Sequence, residues 1–208
     1  MIEETAPDGR PMIHPTDRAA WRAWLTANHT QPTGIWVVMD RRGANPAQVD
    51  YESSVEEALC FGWIDSKVVK LDAGRTLQWF SPRRPRGTWA RTNKERVARL
   101  TAAGLMAPAG LAAVEEAKRI GTWTQLDDVE DLVVPDDLAA AFEAIPPARA
   151  NWDGFSRSAR RAILVWIVQA QRPETRAARV AETARLAAVN EKANQPRPKA
   201  ATTTDPAD

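Results

Sequence analysis

The stretch from Glu57 to Arg99 constrains the fold of this chain more than any other. Its apolar helical pattern must stop at Gly62, because glycine tolerates the left-handed backbone of a helix end. Two segments rich in strand formers follow, 64–71 and 75–81, and the residues between them end in glycine, which is typical of a β-hairpin loop. The next residues, 82–89, contain two prolines and a glycine and cannot form regular structure. The sequence therefore predicts a helix, a hairpin and an irregular loop in succession.

The register of this hairpin predicts which side chains meet. Counting back from the turn places Lys67 opposite Trp79 and Asp65 opposite Ser81, and side chains directly opposite each other touch. Asp65 would then lie one step from the arginines that begin at Arg83. We therefore expect the carboxylate and the arginines of this stretch to meet at the open end of the hairpin.

A third strand is predicted at 35–40, where Ile-Trp-Val-Val-Met-Asp is rich in strand formers, and a loop follows it at 41–46. Apolar residues at helical spacing predict a helix that ends near Asn28, a helix that Asn93 caps, and only helices after Gly104. Since strands come first and helices later, the predicted fold class is α+β. Its sheet is small, antiparallel and three-stranded, is flanked by helices, and is followed by a helical C-terminal half.

The domain organisation follows from length and composition. A chain of 208 residues can bury a core as one domain or as two small ones. We predict a flexible leader at 1–14, a single domain at 15–190 and a disordered tail at 191–208, where Pro, Thr and Ala predominate. Within the domain, the part that contains the sheet covers about 15–104 and the helical part about 105–190.

Charge is segregated along the chain although the formal net charge is only +1. Residues 122–143 include seven acidic residues and no basic one, whereas 155–185 include seven arginines and two glutamates. Such blocks make either ordinary solvated faces or complementary surfaces within one fold. The near-neutral total argues against strong nonspecific binding to nucleic acid.

The cellular context is predicted from features at the start and along the chain. Cys60 is the only cysteine, so no intramolecular disulfide is expected. The first residues lack the basic and apolar regions of a secretory signal, and no run reaches the length of a membrane span. We therefore expect a soluble cytoplasmic protein without a membrane span.

A series of short segments occurs in a characteristic order along the chain: Cys60–Asp65, Phe80–Arg84, Trp89, Asn93–Lys94, Gly104, Met106, Gly110, Gly121–Trp123, Ser156–Ser158 and Gln171–Arg176. In this order they resemble the YdeI/OmpD-associated family, whose bacterial members are often called bacteriocin-protection proteins. The resemblance covers roughly 15–190, with Ser81 where the family more often has Thr, and Gly87-Thr88 where it usually has a Ser-Asn-like pair. It implies a link with tolerance of antimicrobial peptides and envelope stress, without an established reaction.

The same central stretch is a candidate site for a small anionic ligand. Guanidinium groups are forked donors suited to phosphate or carboxylate, tryptophan rings offer faces for stacking, and free N–H groups at a helix start favour anions. The alternative is structural: Asp65 pairs with Arg83 or Arg84, and the tryptophans pack under a rigid loop. The predicted ligand-binding residues are Trp63, Asp65, Lys67, Trp79, Arg83, Arg84, Arg86, Trp89, Asn93 and Lys94.

Two other functions are weighed against ligand binding. An enzyme would use Asp65 in the same cleft, although arginines beside it would make it a poor base. A protein-interaction module would use the arginines of the C-terminal helices, which are Arg157, Arg160, Arg161, Arg172, Arg176 and Arg179. Cys60 is interpreted as a small buried hydrophobe, since no histidine lies near it in sequence. Two histidines and one cysteine without ligand spacing predict no metal site, and the absence of phosphate-loop and dinucleotide motifs predicts no cofactor.

Overall fold

The computed structural model describes residues 3–40 and 48–195, which form two compact units that divide after Gln125. The predicted α+β class is confirmed, because a sheet with flanking helices is followed by a helical half. The first unit contains the sheet, and the second begins at Leu126. The single domain at 15–190 stays a prediction, and each unit is described by itself.

The sheet has five strands in the described part of the chain, so the prediction of three is wrong. The strands follow the order β1-β2-β3-β5-β4, with β2 parallel to β3 and the other neighbours antiparallel. The predicted antiparallel trio is present as β3, β5 and β4. The two additional strands, β1 and β2, have three residues each and lie within 1–14, where so short a segment shows no alternation of apolar and polar residues. The bounds are Glu3–Thr5 for β1, Pro11–Ile13 for β2, Ile35–Asp40 for β3, Trp63–Lys70 for β4 and Arg75–Pro82 for β5.

A β-bulge changes the predicted register of the hairpin. Asp65 pairs with Phe80 and not with Ser81, because the ladder shifts between Asp65 and Val68 and one extra residue enters β4. Lys67 lies within this bulge. Since side chains alternate between the two faces of a sheet, the shift moves the Asp65 side chain to the face that Phe80 occupies.

Four long helices belong to the sheet unit, and three of their ends have clear causes. The carboxylates of Asp17 and Asp50 accept hydrogen bonds from backbone N–H groups and cap the first two helices. The second ends before Gly62, whose φ of 75° confirms the predicted stop. Asn93 is not a cap, because the third helix has Ala90 at its N-cap. The helices are α1 Arg18–Asn28, α2 Tyr51–Cys60, α3 Arg91–Ala102 and α4 Pro108–Arg119.

The two faces of the sheet are buried differently. On one face, Val37 and Phe80 belong to a core cluster to which all four helices contribute. On the other face, Trp36, Val38 and Leu77 are buried in a smaller cluster that contains no helical residue among those described. This second face is where loops and the β1–β2 turn can shape a cavity.

The second unit is helical throughout its described residues. Its core contains Phe142 and Trp152, which are at most 1% exposed. Arg161 pairs with Glu130 at 2.6 Å and Arg176 with Asp137 at 2.7 Å, so these arginines meet the acidic block as one reading of the charge pattern expects. The helices are α5 Asp127–Glu130, α6 Asp136–Glu143, α7 Ala148–Gly154, α8 Arg157–Val168 and α9 Pro173–Ala188.

Two predictions fall outside the described residues: the loop at 41–46 does so wholly, and the tail at 191–208 does so from 196 onward. Among the helices that are described, none combines the length and apolarity that crossing a bilayer requires.

Candidate functional site: an arginine-lined cavity

A cavity of about 710 Å³ lies in the sheet unit beside β5 and is called the arginine cavity below. Four chain segments form it: the start of β2, the turn before β3, the end of β5 and the loop after β5. Three of its lining residues are arginines, and none of the described residues that line it carries a carboxylate. The lining residues are Arg10, Pro11, Pro32, Thr33, Gly34, Trp79, Ser81, Pro82, Arg83, Arg84 and Pro85.

Trp79 forms a fixed wall of the arginine cavity. Its ring meets the edge of Trp36 at 5.1 Å, and the guanidinium of Arg10 lies 4.9 Å from its centroid. The ammonium of Lys67 lies 5.6 Å away, so the predicted contact between Lys67 and Trp79 exists although Lys67 sits in the bulge. Gly34 makes room for the ring, since a Cβ there would come within 2.5 Å of it.

Arg83 holds the loop after β5 in place. Its backbone N–H donates to the Gly62 carbonyl at 2.9 Å, and its Nη2 donates to the Thr88 carbonyl at 2.7 Å. Its guanidinium stacks 3.6 Å from the ring centroid of Trp89. Nη1 is buried and has no hydrogen-bond partner among the described residues.

Burial also changes the ionisation of Arg83. Removal from water lowers the pKa of Arg83 to about 10, while the negative charge of Asp65 acts in the opposite direction. The guanidinium is therefore still charged at neutral pH, but its charge is poorly solvated. A buried cation with one unsatisfied nitrogen favours an added anion.

Arg84 and Arg10 complete the cationic lining. Arg84 is exposed, and within the described residues its side chain makes no hydrogen bond or ion pair. Arg10 lies on the β1–β2 turn, with its Nε 3.8 Å from Asp8. Burial raises the pKa of Asp8, but hydrogen bonds from the Arg10 backbone and the Trp36 indole, with the nearby positive charges, lower it overall. Asp8 thus stays ionised and positions Arg10 over the sheet.

Sequence reasoning missed Arg10, because the turn that carries it lies within 1–14, which is predicted to be a flexible leader. A signal was present: Asp8-Gly9-Arg10 is a turn sequence, and Gly9 has a φ of 80°. Recognising it would have required recognising the two short strands on either side.

Other predicted site residues lie away from the arginine cavity. Trp63 is fully buried, and its Nε1 donates to the His29 carbonyl at 2.9 Å. Trp89 is 2% exposed and lies beneath Arg83. Arg86 is exposed and is not among the residues that line the cavity.

The two predicted residues on α3 are also engaged elsewhere. The amide oxygen of Asn93 accepts a hydrogen bond from Arg96 at 2.6 Å, so Asn93 supports its own helix. The ammonium of Lys94 lies 5.8 Å from the ring centroid of Trp123. Neither residue is among those that line the arginine cavity.

Asp65 lies on the helix-covered face of the sheet. Its Oδ2 accepts hydrogen bonds from the Tyr51 hydroxyl at 2.9 Å and from the Gln78 amide at 3.1 Å. Burial, then the hydrogen bond and charge of Asp65, raise the pKa of Tyr51 to about 12. Asp65 forms no ion pair with Arg83 or Arg84 among the described residues, so the predicted meeting of carboxylate and arginines is wrong.

A second cavity, of about 700 Å³, lies near the N-terminus of α2. Its carboxylates already have partners: Asp50 caps α2, Glu52 pairs with Arg96 at 2.6 Å, and Asp40 lies 3.5 Å from His14. In the described part of the chain, no group of three His, Cys, Asp or Glu residues is placed to hold a metal ion. The arginine cavity differs, because it is lined by Arg84, whose side chain makes no hydrogen bond or ion pair within the described residues.

Four of the six arginines proposed for protein interaction are engaged within the second unit. Arg157 donates to the Glu130 carbonyl and Arg179 to the Trp166 carbonyl, in addition to the ion pairs of Arg161 and Arg176. These contacts stabilise the helical unit and leave fewer arginines to meet a partner.

The fold and the cavity define an α+β protein with a cationic site in its sheet unit, and comparison with known proteins adds a family. Residues 131–190 match the family described as "Bacteriocin-protection, YdeI or OmpD-Associated", which confirms the resemblance over that part of the chain. Residues 13–113 match a different family, described as "Domain of unknown function (DUF8412)". The arginine cavity lies on this second family's segment, apart from Arg10 and Pro11. None of the curated proteins or solved structures compared with the chain matches it.

Proposed function

We propose that the sheet unit binds a small anionic ligand in the arginine cavity. One observation carries the proposal: three arginines from two separate chain segments line one cavity, and none of its described lining residues carries a carboxylate. Asp8, outside this lining, lies 3.8 Å from Arg10 alone. A wall with an excess of positive charge focuses a positive potential and raises the local concentration of anions.

The state of Arg83 supports the same function. Its buried Nη1 lacks a partner among the described residues, which is costly for a charged donor. Arg83 also lines the cavity, so a ligand oxygen that came within reach of Nη1 would satisfy the nitrogen and restore part of the lost solvation. The cavity volume, about 710 Å³, also falls within the ordinary range of small-molecule sites.

The direct test is native mass spectrometry of the protein purified gently from its own host. We expect a reproducible small-molecule adduct that is lost in Arg84→Gln, because Arg84 lines the cavity and has no structural partner described. Arg86→Gln is the matched control, since Arg86 lies on the same loop outside the cavity lining. An adduct that survives Arg84→Gln, or is lost equally in both variants, would argue against this site.

The biological role that we propose rests on the family matched by residues 131–190. Its description names bacteriocin protection, and we infer a role in tolerance of antimicrobial peptides or envelope stress for this chain. Growth of a deletion strain under such stress, complemented with the wild-type protein or with Arg84→Gln, tests whether tolerance depends on the cavity. Equal rescue by both proteins would separate the role from ligand binding.

A further inference from the structure

The charge of the arginine cavity distinguishes between anions of different valence. Arg10, Arg83 and Arg84 give its lining a formal charge of +3, obtained by counting three guanidinium groups and no carboxylate. The carboxylate of Asp8 lies 3.8 Å from Arg10 and is about as exposed as its partner. A dianion gains more from such a site than a monoanion does.

The donors of the cavity are spread over several directions. Arg83 and Arg84 follow β5, whereas Arg10 comes from the β1–β2 turn. The hydroxyls of Thr33 and Ser81 also line the cavity. A carboxylate presents two oxygens in one plane, whereas a phosphate ester presents three oxygens in a tetrahedral arrangement and can meet donors from separate elements.

The remaining lining is apolar and flat. Four prolines lack a backbone N–H, and Trp79 presents an aromatic wall, so a large part of the cavity offers few donors. A phosphate group alone would fill only a small part of about 710 Å³. The volume and lining suit a molecule that carries its charge at one end and apolar surface elsewhere.

We propose that the arginine cavity recognises a phosphate monoester whose organic portion is largely apolar. This inference rests on the proposed anion-binding function and adds the chemical class of the ligand. The phosphate lies among Arg10, Arg83 and Arg84, and the organic portion lies against Trp79 and the prolines.

Isothermal titration calorimetry with three defined probes tests the inference. Phenyl phosphate should bind at least tenfold more tightly than benzoate, which has the same ring and a single charge. It should also bind more tightly than inorganic phosphate, which lacks the ring. Arg84→Gln should weaken phenyl phosphate at least tenfold, and Arg86→Gln should leave its affinity unchanged.

The pH dependence provides a second readout. A phosphate monoester loses its second proton near pH 6, so affinity for phenyl phosphate should fall about tenfold between pH 7.5 and pH 5. The arginines that line the cavity stay charged over this range. The Asp8 carboxylate stays ionised as well. Burial raises the pKa of Asp8, but its hydrogen bonds and the neighbouring cations lower it overall. No histidine is among the lining residues.

The outcomes separate the ligand class from the proposed function. Benzoate binding as tightly as phenyl phosphate, or phenyl phosphate affinity that does not change with pH, overturns the phosphate class and leaves an anion site. Failure of all three probes to bind at millimolar concentration also overturns the phosphate class. In that case the Arg84-dependent native adduct still decides whether the cavity binds any anion.

Discussion

Replacing Arg83 with methionine separates a ligand-binding arginine from a structural one. The fall of the Arg83 pKa to about 10, caused by burial and opposed by Asp65, corresponds to a cost of about 3 kcal/mol for holding the charge in the folded state. Against this, the hydrogen bond from charged Nη2 to the Thr88 carbonyl contributes about 2 kcal/mol. Stacking on Trp89 contributes about 1 kcal/mol. The terms nearly cancel, and methionine keeps a flexible apolar contact with the ring.

We therefore expect Arg83→Met to change the free energy of unfolding by no more than about 1 kcal/mol. Urea unfolding followed by tryptophan fluorescence measures it, and seven of the nine tryptophans lie in the sheet unit. The matched control is Arg96→Met. Arg96 is 15% exposed and bonds both Glu52 and Asn93, so its loss should cost about 2–3 kcal/mol.

The two roles of Arg83 predict opposite patterns. If Arg83 serves a ligand, Arg83→Met remains nearly as stable as the wild type and loses affinity for phenyl phosphate. A loss of 3 kcal/mol or more, equal to or above that of Arg96→Met, would show that Arg83 is mainly an anchor for the loop. The argument from its desolvation cost would then be refuted.

Three further predictions concern the scaffold around the cavity. Gly110→Ala should lower the free energy of unfolding, measured in urea, by more than about 2 kcal/mol, because a Cβ there would lie 2.2 Å from the Cys60 carbonyl oxygen. The control, Gly74→Ala, should lower it by less than about 1 kcal/mol, since the nearest atom to a Cβ there is 3.9 Å away. Glu57→Ala should lower the free energy of unfolding by about 2–4 kcal/mol, because the buried Glu57 carboxylate pairs with Arg18 and Arg22 at 2.6 Å. The control, Glu115→Ala, removes an exposed ion pair and should change the free energy of unfolding by less than about 0.5 kcal/mol. Equal losses in the two variants would contradict the argument from burial. Asp65→Asn should lower the pKa of Tyr51 from about 12 toward its ordinary value, because the hydrogen bond and charge of the carboxylate favour the protonated phenol. Absorbance at alkaline pH reports this pKa directly, since Tyr51 is the only tyrosine of the chain. An unchanged titration would leave burial as the sole cause of the raised pKa.

The features that the sequence predicted well are those with a local cause. Gly62 ends α2 because of its own backbone preference, and the hairpin turn at 72–74 follows from a loop of suitable length that ends in glycine. Helix classes and the central antiparallel strands were therefore available from the sequence.

The features that were missed depend on partners distant in sequence. β2 pairs in parallel with β3, with Met12 opposite Trp36, and three residues alone carry no pattern that indicates this. Arg10 reaches the cavity only because that pairing places the turn over the second face of the sheet. The arginines of the loop after β5 also separate, since Arg83 and Arg84 line the cavity and Arg86 is not among its lining residues.

The bulge in β4 determines on which face of the sheet the Asp65 carboxylate lies. In an unbroken ladder Asp65 would lie opposite Ser81, which lines the arginine cavity, and its carboxylate would face the guanidinium groups. One extra residue before Val68 turns Asp65 to the opposite face, where Tyr51 and Gln78 donate to it. The same shift keeps the Asp65 carboxylate out of the described lining of the cavity. A local irregularity in the backbone thus separates the one carboxylate of this hairpin end from the arginines that follow β5.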